Sequence, residues 1–507
     1  MKALKKISAL TILLGGVMLF AACGGGATEK PGELDTDPSD KDFSTLRSAS
    51  AQENAYEYKF NFLPEKDSQG QGYVGDTMPY YENGKYYVYY LKESGDSYNH
   101  SIYLATTSDF VTWDEKQDVV LESDHGAAQD SWIGTGSVVK VGEKYYFFYT
   151  GHSFSSSAKF GETIMVAEGT SPTEFTKKEG WEIQPPAELG NRDFRDPQAY
   201  YDEATDTITL TITAPKSGNA CVVTYTLKGD LSDPQYGGVI YSRSSVIPSC
   251  YNLECTDTFK VGDKWYLTFS AQDGVLWYTT ADTQYGPYTA TPKPLDGHLF
   301  YAAKHASNGT DTYMIGWARR SESVSSTQDV KGWAGNLQVQ KVVSDGNGGI
   351  KLAPVDAYTQ NTKERNLVTK STVEVKKNDY TEVFRCFERY MVTGEFSYSG
   401  TGDFGFAFNY NGKKEGYKTI SLSPENQKIS LDFNAGNVHI TEVPATLEAG
   451  KTYSFTYIQE GSIGVLYVEG QAALTVRIYG VSGKNVMLYS AGSTVTFRNL
   501  KQYTYTY

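Results

Sequence analysis

Cysteine is scarce in this sequence: 5 of 507 residues are Cys, and none stands in a Cys-x-x-Cys spacing. Structural zinc sites are usually built from such pairs, so the sequence argues against one. Four cysteines follow Cys23, at positions Cys221, Cys250, Cys255 and Cys386. One disulfide and a set of buried free thiols are both compatible with this number.

Positive charge is also in short supply, because 60 acidic residues outnumber 46 Lys and Arg and give a net charge of -14. Nucleic acids and anionic lipid surfaces attract basic proteins, so we expect neither as a partner. A neutral or cationic partner fits this charge. Among the histidines, His125, His152 and His305 share no metal-ligand spacing. No Gly-rich phosphate loop and no nucleophilic Ser motif occur, and we expect no cofactor and no metal.

Aromatic residues are abundant, with 40 Tyr, 23 Phe and 7 Trp. Aromatic side chains favour strands, and exposed aromatic faces stack well on the flat apolar faces of sugar rings. With 507 residues the chain is also too long for one ordinary core, so at least two domains are expected.

The N-terminus has the pattern of a targeting segment. Three lysines within the first six residues precede the apolar run Ile7–Phe20, which has the length of a signal peptide rather than of a membrane span. The following Ala21-Ala22-Cys23 resembles the bacterial lipoprotein box, although Phe20 is bulkier than usual there. We therefore expect residues 1–23 to be a lipoprotein signal peptide with Cys23 as the lipidated residue, and 24–52 to be a disordered tether. This predicts a protein outside the cytoplasm, anchored to the bacterial membrane by lipid.

A template of a polar turn followed by an aromatic strand recurs five times. Successive copies start 59, 63, 57 and 48 residues apart, a period near that of propeller blades. The copies are Gly84–Tyr90, Glu143–Tyr149, Asp206–Ile212, Asp263–Phe269 and Asp311–Trp317. A second strand follows each copy: Ile102–Thr106, Thr163–Ala167, Cys221–Tyr225, Val275–Thr279 and Leu337–Lys341.

These repeats predict an all-β fold in which residues 53–358 form a five-bladed β-propeller. Two stacked β-sandwiches are the alternative that short strands also permit. After about Tyr358 the template stops, and alternating strands joined by Gly- and Asn-containing turns predict a separate C-terminal β-sandwich at 359–507. We expect the protein to be a monomer.

The stretch Asn191–Pro197 interrupts this pattern with a cluster of charges near the middle of the chain. Asp is disfavoured in strands, yet Asp196 leads directly into one. Asp76, Asp196 and Glu254 lie 8, 10 and 9 residues before the first, third and fourth templates. The strand before each template is expected to be innermost, so these acids converge on the propeller axis. Strict strand alternation would send Arg195 and Asp196 to opposite faces unless the strand ends or bulges there.

Three carboxylates in a partly dry funnel cannot all ionise cheaply, because like charges and desolvation raise the pKa of at least one. Glycoside cleavage needs such a set, with one carboxylate as nucleophile or base and one protonated acid. Arg195 would keep a neighbouring acid ionised. An oligo- or polysaccharide is therefore the expected substrate.

The motifs Gly75-Asp76-Thr77-Met78-Pro79, Phe194-Arg195-Asp196-Pro197 and Glu254-Cys255 together resemble glycoside hydrolase family 32, the fructan and sucrose hydrolases. Supporting matches are Trp132 to Val138, Phe300-Tyr301-Ala302, Gly316-Trp317 and Gly332 to Leu337. The resemblance covers about Asn61 to Val355 well and the C-terminal region weakly.

This resemblance implies a retaining glycosidase that cleaves β-fructofuranosyl linkages. Asp76 would be the nucleophile, Glu254 the general acid/base and Asp196 the stabiliser that holds substrate hydroxyls. It also implies substrate contacts, from Arg195, Trp132, Thr135, Tyr301 and Trp317, with the three aromatic rings as stacking platforms or as blade packing. The sequence departs from the family in its first motif, where Tyr73-Val74-Gly75 precedes Asp76, and near Leu91-Lys92, where a Gln is expected. These departures bear on which sugar is bound most tightly.

Two other functions fit part of the pattern. An inverting arabinan- or xylan-cleaving propeller glycosidase would place acids in comparable blades without the Arg-Asp-Pro and Glu-Cys pair. A noncatalytic glycan-binding lipoprotein would not need Glu254.

Overall fold

The computed structural model describes residues 56–66, 72–93, 100–124, 126, 128–155, 158–320, 333–412, 417–433 and 438–507. The expected targeting segment with Cys23, the expected tether at 24–52 and His125 lie outside these residues. Within them, no helix has the length and apolar character needed to cross a membrane. The described chain is built almost entirely from strands, with short 3-10 turns at Ala187–Leu189 and Asp356–Thr359.

The first twenty strands form five blades of four antiparallel strands each. The five templates become the second strands of the blades, and the first, innermost strands of the five blades contact one another in cyclic order. Blades one and five are joined by the pairing of Val74 with Gly335, which closes the ring. The strands, blade by blade, are β1 (Tyr73–Glu82), β2 (Lys85–Glu93), β3 (Ile102–Thr107) and β4 (Asp114–Leu121); β5 (Trp132–Val141), β6 (Lys144–His152), β7 (Glu162–Ser171) and β8 (Glu174–Ile183); β9 (Arg195–Asp202), β10 (Thr207–Lys216), β11 (Asn219–Lys228) and β12 (Gln235–Ser242); β13 (Leu253–Val261), β14 (Lys264–Ala271), β15 (Leu276–Ala281) and β16 (Lys293–Pro294); and β17 (Phe300–Ser307), β18 (Thr312–Arg319), β19 (Gly335–Ser344) and β20 (Ile350–Ala353).

The template strands are aromatic on both faces because each blade is covered by a neighbour on either side. In β6, Tyr145, Phe147 and Tyr149 pack against the first blade. The alternate residues Tyr146 and Phe148 pack against the third blade. A strand that alternated apolar and polar residues would leave one of these faces unfilled. The five-bladed propeller predicted from the repeats is therefore confirmed, and the paired-sandwich alternative is not the fold.

The remaining thirteen strands form two stacked antiparallel sheets, which confirms the C-terminal β-sandwich. One sheet has the order β21-β33-β24-β29-β30-β31, with β22 also paired to β33, and the other has the order β23-β32-β25-β26-β27-β28. Their facing sides bury a core rich in Phe, Leu, Ile and Val. The strands are β21 (Thr362–Arg365), β22 (Val373–Val375), β23 (Asp379–Arg385), β24 (Arg389–Ser399), β25 (Phe404–Phe408), β26 (Lys418–Ser423), β27 (Lys428–Phe433), β28 (Val438–Pro444), β29 (Tyr453–Glu460), β30 (Ile463–Val468), β31 (Ala472–Arg477), β32 (Asn485–Ser490) and β33 (Thr494–Tyr505).

Buried polar contacts fasten the sandwich to the propeller. Asp296, in the segment that leads into β17, accepts hydrogen bonds from the backbone N–H (2.9 Å) and hydroxyl (2.6 Å) of Thr475 in β31. Arg477 donates to Asn336 Oδ1 at 2.8 Å. Glu460 accepts hydrogen bonds from the backbone N–H groups of Lys59, Phe60 and Asn61 at 2.6 to 2.8 Å. The segments that lead into the first and the fifth blade are therefore both hydrogen-bonded to the sandwich.

Candidate active site

Every innermost strand of the propeller contains a β-bulge near its N-terminal end. A bulge opposes an extra residue to the neighbouring strand and re-aims the side chains around it. The interrupted registers lie between Val74 and Thr77 in β1, Gly134 and Gly136 in β5, Arg195 and Gln198 in β9, Glu254 and Asp257 in β13, and Tyr301 and Lys304 in β17. The predicted acids stand at the bulges of three of these strands.

The bulge in β9 resolves the conflict between Arg195 and Asp196. Asp196 has a left-handed backbone conformation with φ 59°, which Asp tolerates better than most residues. Because strict alternation is broken there, both side chains reach the next blade. Arg195 Nη2 donates to Glu254 Oε1 at 2.7 Å, and Asp196 Oδ2 accepts from the Cys255 backbone N–H at 2.8 Å.

Asp76 is held by donors from two other blades. Thr135 donates its hydroxyl to Asp76 Oδ2 at 2.9 Å, and the Trp317 indole N–H donates to Oδ1 at 3.1 Å. Burial and then the charge of Glu254 raise the pKa of Asp76, against the lowering effect of these hydrogen bonds. The hydrogen bonds therefore orient the Asp76 carboxylate, while burial and the charge of Glu254 destabilise its ionised form. Catalytic carboxylates commonly have such an environment.

Gly75 makes room for an indole beside Asp76. A Cβ atom at position 75 would lie 2.0 Å from Trp333 Cη2, so no larger residue fits without moving that ring. Gly75, which departs from the expected first motif, is therefore needed for the Trp333 ring to occupy its position.

Both carboxylate oxygens of Glu254 accept hydrogen bonds, and Gln272 Nε2 lies 3.5 Å from Oε1 as a further, longer contact. Arg195 binds Oε1, and the Tyr301 hydroxyl donates to Oε2 at 2.5 Å. Its side chain keeps 23% exposure, so it can exchange a proton with a bound substrate or with water.

Asp196 is nearly inaccessible, at 3% exposure. Burial raises the pKa of Asp196 to about 7, although the Arg195 charge works in the opposite direction. The charges of Glu254 and Asp76 add to the increase. The three acids therefore form one coupled set in which protonation of one member eases ionisation of the others.

Two further acids hold Arg195 and were not singled out from the sequence. Asp193 Oδ1 and Glu162 Oε1 lie 2.8 Å and 3.3 Å from Arg195 Nη1. Burial opposes the charge of Arg195, but the carboxylates of Glu162 and Glu254 raise its pKa well above the ordinary value. Glu162 opens β7, far from the other acids in sequence, and no motif pointed to it. Asp193 lies in the charged stretch that drew attention to Arg195.

The residues expected to bind substrate are brought around the same acids, with different roles for the rings. Trp317 and Tyr301 are buried, at 1% and 6% exposure, and touch the carboxylates through their N–H and O–H groups rather than presenting open faces. Thr135 is buried and bonds Asp76. Trp132 is half-buried and packs edge to face with the exposed Phe154, at 4.6 Å between ring centroids. Trp132 and Phe154 thus leave ring surface open to solvent, unlike Trp317 and Tyr301.

His152 and His305 each lie beside a carboxylate. His152 Nδ1 lies 3.1 Å from Glu162 Oε1, and His305 Nδ1 lies 2.6 Å from Asp257 Oδ2. The four cysteines after Cys23 are free and buried. No group of three or more His, Cys, Asp or Glu side chains in the described ranges is arranged to hold a metal ion.

Comparison with known sequences gives a family match over the propeller. The model for the glycosyl hydrolases family 32 N-terminal domain matches residues 71–354. The sucrose-6-phosphate hydrolase of Escherichia coli is 24% identical over an alignment of 292 residues that covers 54% of this chain. That match spans 59% of the length of the Escherichia coli enzyme.

Solved structures resemble the whole described chain, sandwich included. The family 32 β-fructofuranosidase of Bombyx mori superposes with a TM-score of 0.66 at 19% identity, covering 90% of this chain and 96% of that one. The fructan 1-exohydrolase IIa of Cichorium intybus gives a TM-score of 0.71 at 16% identity, covering 89% and 97%. At these identities the likeness establishes the fold, a propeller followed by a sandwich.

Proposed function

Because the chain belongs to the glycosyl hydrolases family 32, we propose that it is a hydrolase of β-fructofuranosyl linkages in fructans or sucrose-type oligosaccharides. The observation that carries the proposal is the convergence of Asp76, Asp196 and Glu254 from three bulged strands, with an individual hydrogen-bond donor on each carboxylate. Binding of a glycan without catalysis would not require a partly exposed Glu254 beside two buried acids.

We assign the roles by position and environment. Asp76 attacks the anomeric carbon of the fructosyl unit, and Glu254 gives a proton to the departing glycosidic oxygen. The bond from that carbon to the leaving group breaks as the bond to Asp76 forms. Glu254, now ionised, takes a proton from water, whose oxygen displaces Asp76 and releases fructose with retained configuration. Asp196 holds substrate hydroxyls, and Arg195 stabilises Glu254 in its ionised form between the two steps.

Product stereochemistry tests this proposal. In NMR of the initial product, retention is expected, and a sugar should be trapped covalently on Asp76. Asp76→Asn should abolish formation of the glycosyl-enzyme, because an amide is a poor nucleophile. Glu254→Gln should form the intermediate from a substrate with a good leaving group and then stall, for want of a base. An inverted first product, or full activity in Asp76→Asn, would overturn the retaining mechanism and favour an inverting propeller glycosidase.

We further propose that the enzyme is a monomer tethered outside the cytoplasm by a lipid on Cys23. The apolar run and the small residues before Cys23 support this, together with the polar stretch that follows. Cys23→Ala should move the protein from the membrane fraction to the soluble one. Membrane association that survives this substitution would contradict the anchor, and light scattering of the detergent-free variant reports the mass of the assembly.

A further inference from the structure

Arg319 is a cation beside the catalytic acids that has no partner of its own. It ends β18, and its guanidinium carbon lies 4.3 Å from the centre of the Tyr301 ring and 5.4 Å from that of Trp317. Its Nε is buried without a hydrogen bond. Among the residues that the structure describes, none forms a hydrogen bond or ion pair with this guanidinium. Every other arginine named so far is bonded to carboxylates or carbonyl-type oxygens.

An arginine in this state is costly for the protein. The guanidinium carries five N–H donors and no acceptor, and a buried donor left unpaired costs about 1–3 kcal/mol. Burial lowers the pKa of Arg319, and the negative charges nearby, including Glu254 and Asp76, offset only part of that effect. Because the N–H groups of Arg319 are unpaired and lie next to the active site, a ligand that supplies hydrogen-bond acceptors could bind them.

The position of Arg319 along β18 indicates which part of a substrate it would meet. Residues two apart in a strand lie on one face, about 7 Å apart along the strand. Trp317 contacts Asp76, and Arg319 is the next residue on that face. It lies toward the end of the propeller where the innermost strands begin, since Ala318 pairs with Phe300 at the start of β17. Arg319 is therefore about one sugar ring further out than the nucleophile.

Building on the function proposed above, we propose that Arg319 binds the leaving-group sugar, donating hydrogen bonds to neighbouring hydroxyl groups of a neutral unit. A neutral sugar is favoured over a phosphorylated one because Glu254, Asp76 and Asp273 surround the guanidinium with negative charge. These acids compensate one positive charge and repel an anionic substituent. Gly274 borders the same space, since a Cβ there would approach Arg319 Nη2 to 3.5 Å.

The experiment compares substrates with and without a leaving-group sugar in Arg319→Met. For sucrose and 1-kestose we expect kcat/KM to fall about 10- to 100-fold, as for loss of a hydrogen bond from a charged donor. For β-fructofuranosyl fluoride, which has no leaving-group sugar, kcat/KM should stay within about twofold. Arg498→Met is the matched control, because Arg498 bonds Ser397 on the sandwich, at 2.8 Å, and should leave both substrates unaffected.

The alternative roles give different results. Equal losses on sucrose and on the fluoride would mean that Arg319 acts through Tyr301 and Glu254, and unchanged kinetics on both would mean that it binds nothing. A loss confined to sucrose-6-phosphate would show recognition of an anion. Each of these overturns the inference while leaving the proposed function intact.

A wild-type protein inactive on all fructosides, the fluoride included, would overturn the proposed function first. If Arg319→Met does not fold, Arg319→Lys decides, since it keeps the charge and should weaken sucrose turnover alone.

Discussion

Arg195 of the third blade donates a 2.7 Å hydrogen bond to Glu254 of the fourth blade while its other terminal nitrogen is held by Asp193 and Glu162. One planar guanidinium thus spans three carboxylates. The ion pairs are partly shielded, since the Arg195 side chain is 18% exposed, and their geometry depends on the fork of the arginine.

Arg195→Lys should therefore lower kcat/KM for sucrose about 10- to 100-fold, because an ammonium cannot reach both sides of this arrangement. We expect most of the loss in kcat, since Glu254 acts in the chemical steps. Steady-state kinetics measure it, and the unfolding midpoint shows whether the fold has suffered. Arg243→Lys, in a loop of the same face, is the control, and wild-type kinetics in Arg195→Lys would contradict the assigned role.

The acid limb of the pH profile should respond to the charge on Glu254. Asp76 must be ionised to attack, and its pKa is raised by burial and by Glu254. Glu254→Gln removes that charge, so the pKa of Asp76 should fall and the acid limb should move to lower pH. β-Fructofuranosyl fluoride is the substrate to use, because its leaving group needs no acid, and the initial burst of fluoride release is the rate to follow, because Glu254→Gln stalls after that step. Thr135→Val removes a hydrogen bond that lowers the pKa of Asp76, and should move the limb to higher pH; shifts in the opposite directions would disprove the coupling.

Gly75→Ala should displace Trp333 and disturb Asp76. The added methyl would lie 2.0 Å from the indole, and overpacking of this kind costs about 1–3 kcal/mol. We expect a lower denaturation midpoint, a change in Trp fluorescence and a kcat reduced at least about tenfold, since misplacing a catalytic group is costly. The double variant Gly75→Ala with Trp333→Ala should regain stability relative to Gly75→Ala, and no such recovery would locate the strain elsewhere.

Asp296 should make stability fall as pH rises through weakly acidic values. Burial raises the pKa of Asp296 to about 6 from an ordinary value of 3.8. Between these values the native state holds a proton that the unfolded state has lost, so the free energy of unfolding decreases with pH. Asp296→Asn should make this slope shallower between about pH 4 and pH 6, in chemical denaturation followed by fluorescence, while the raised pKa of Asp196 leaves a remaining slope of the same sign. The control is Asp282→Asn, where Lys264 lowers the pKa, so that the full slope in this window should persist. A slope in Asp296→Asn as steep as that of the wild type would refute the assignment.

The propeller could be predicted from the sequence because each blade contains the same local pattern, a polar turn followed by an aromatic strand, and this pattern recurs at a regular spacing. The acids could be predicted because carboxylates such as Asp196 are out of place in strands. The β-bulges could not be predicted, because a bulge is defined by how two strands pair with each other, and the sequence of one strand does not show that pairing. Strict alternation therefore suggested that Arg195 and Asp196 point apart, whereas both contact the next blade.

The roles of the aromatic rings were also beyond the sequence. Trp317 and Tyr301 read as sugar platforms or as packing, and their polar edges prove to orient Asp76 and Glu254. The contact between Glu162 and Arg195 could not be predicted from a local sequence pattern, because the two residues are 33 positions apart. Contacts of this kind depend on the closed ring and have no local signature.

The ties at Asp296, Asn336 and Glu460 have a practical consequence for anyone seeking a smaller catalyst. Cutting the chain near residue 358 would remove the Thr475 donors from Asp296 and the Arg477 donor from Asn336, and it would remove the Glu460 acceptor from the N–H groups of Phe60 and Asn61. The hydrogen bonds lost in this way are worth about 0.5–1.5 kcal/mol each, and about 1.5–3 kcal/mol where one partner is charged, so that together they are a large fraction of the stability of a typical domain. The blades that hold the acids are thus not a separable module, and fusion or shuffling experiments should transplant both domains as one block.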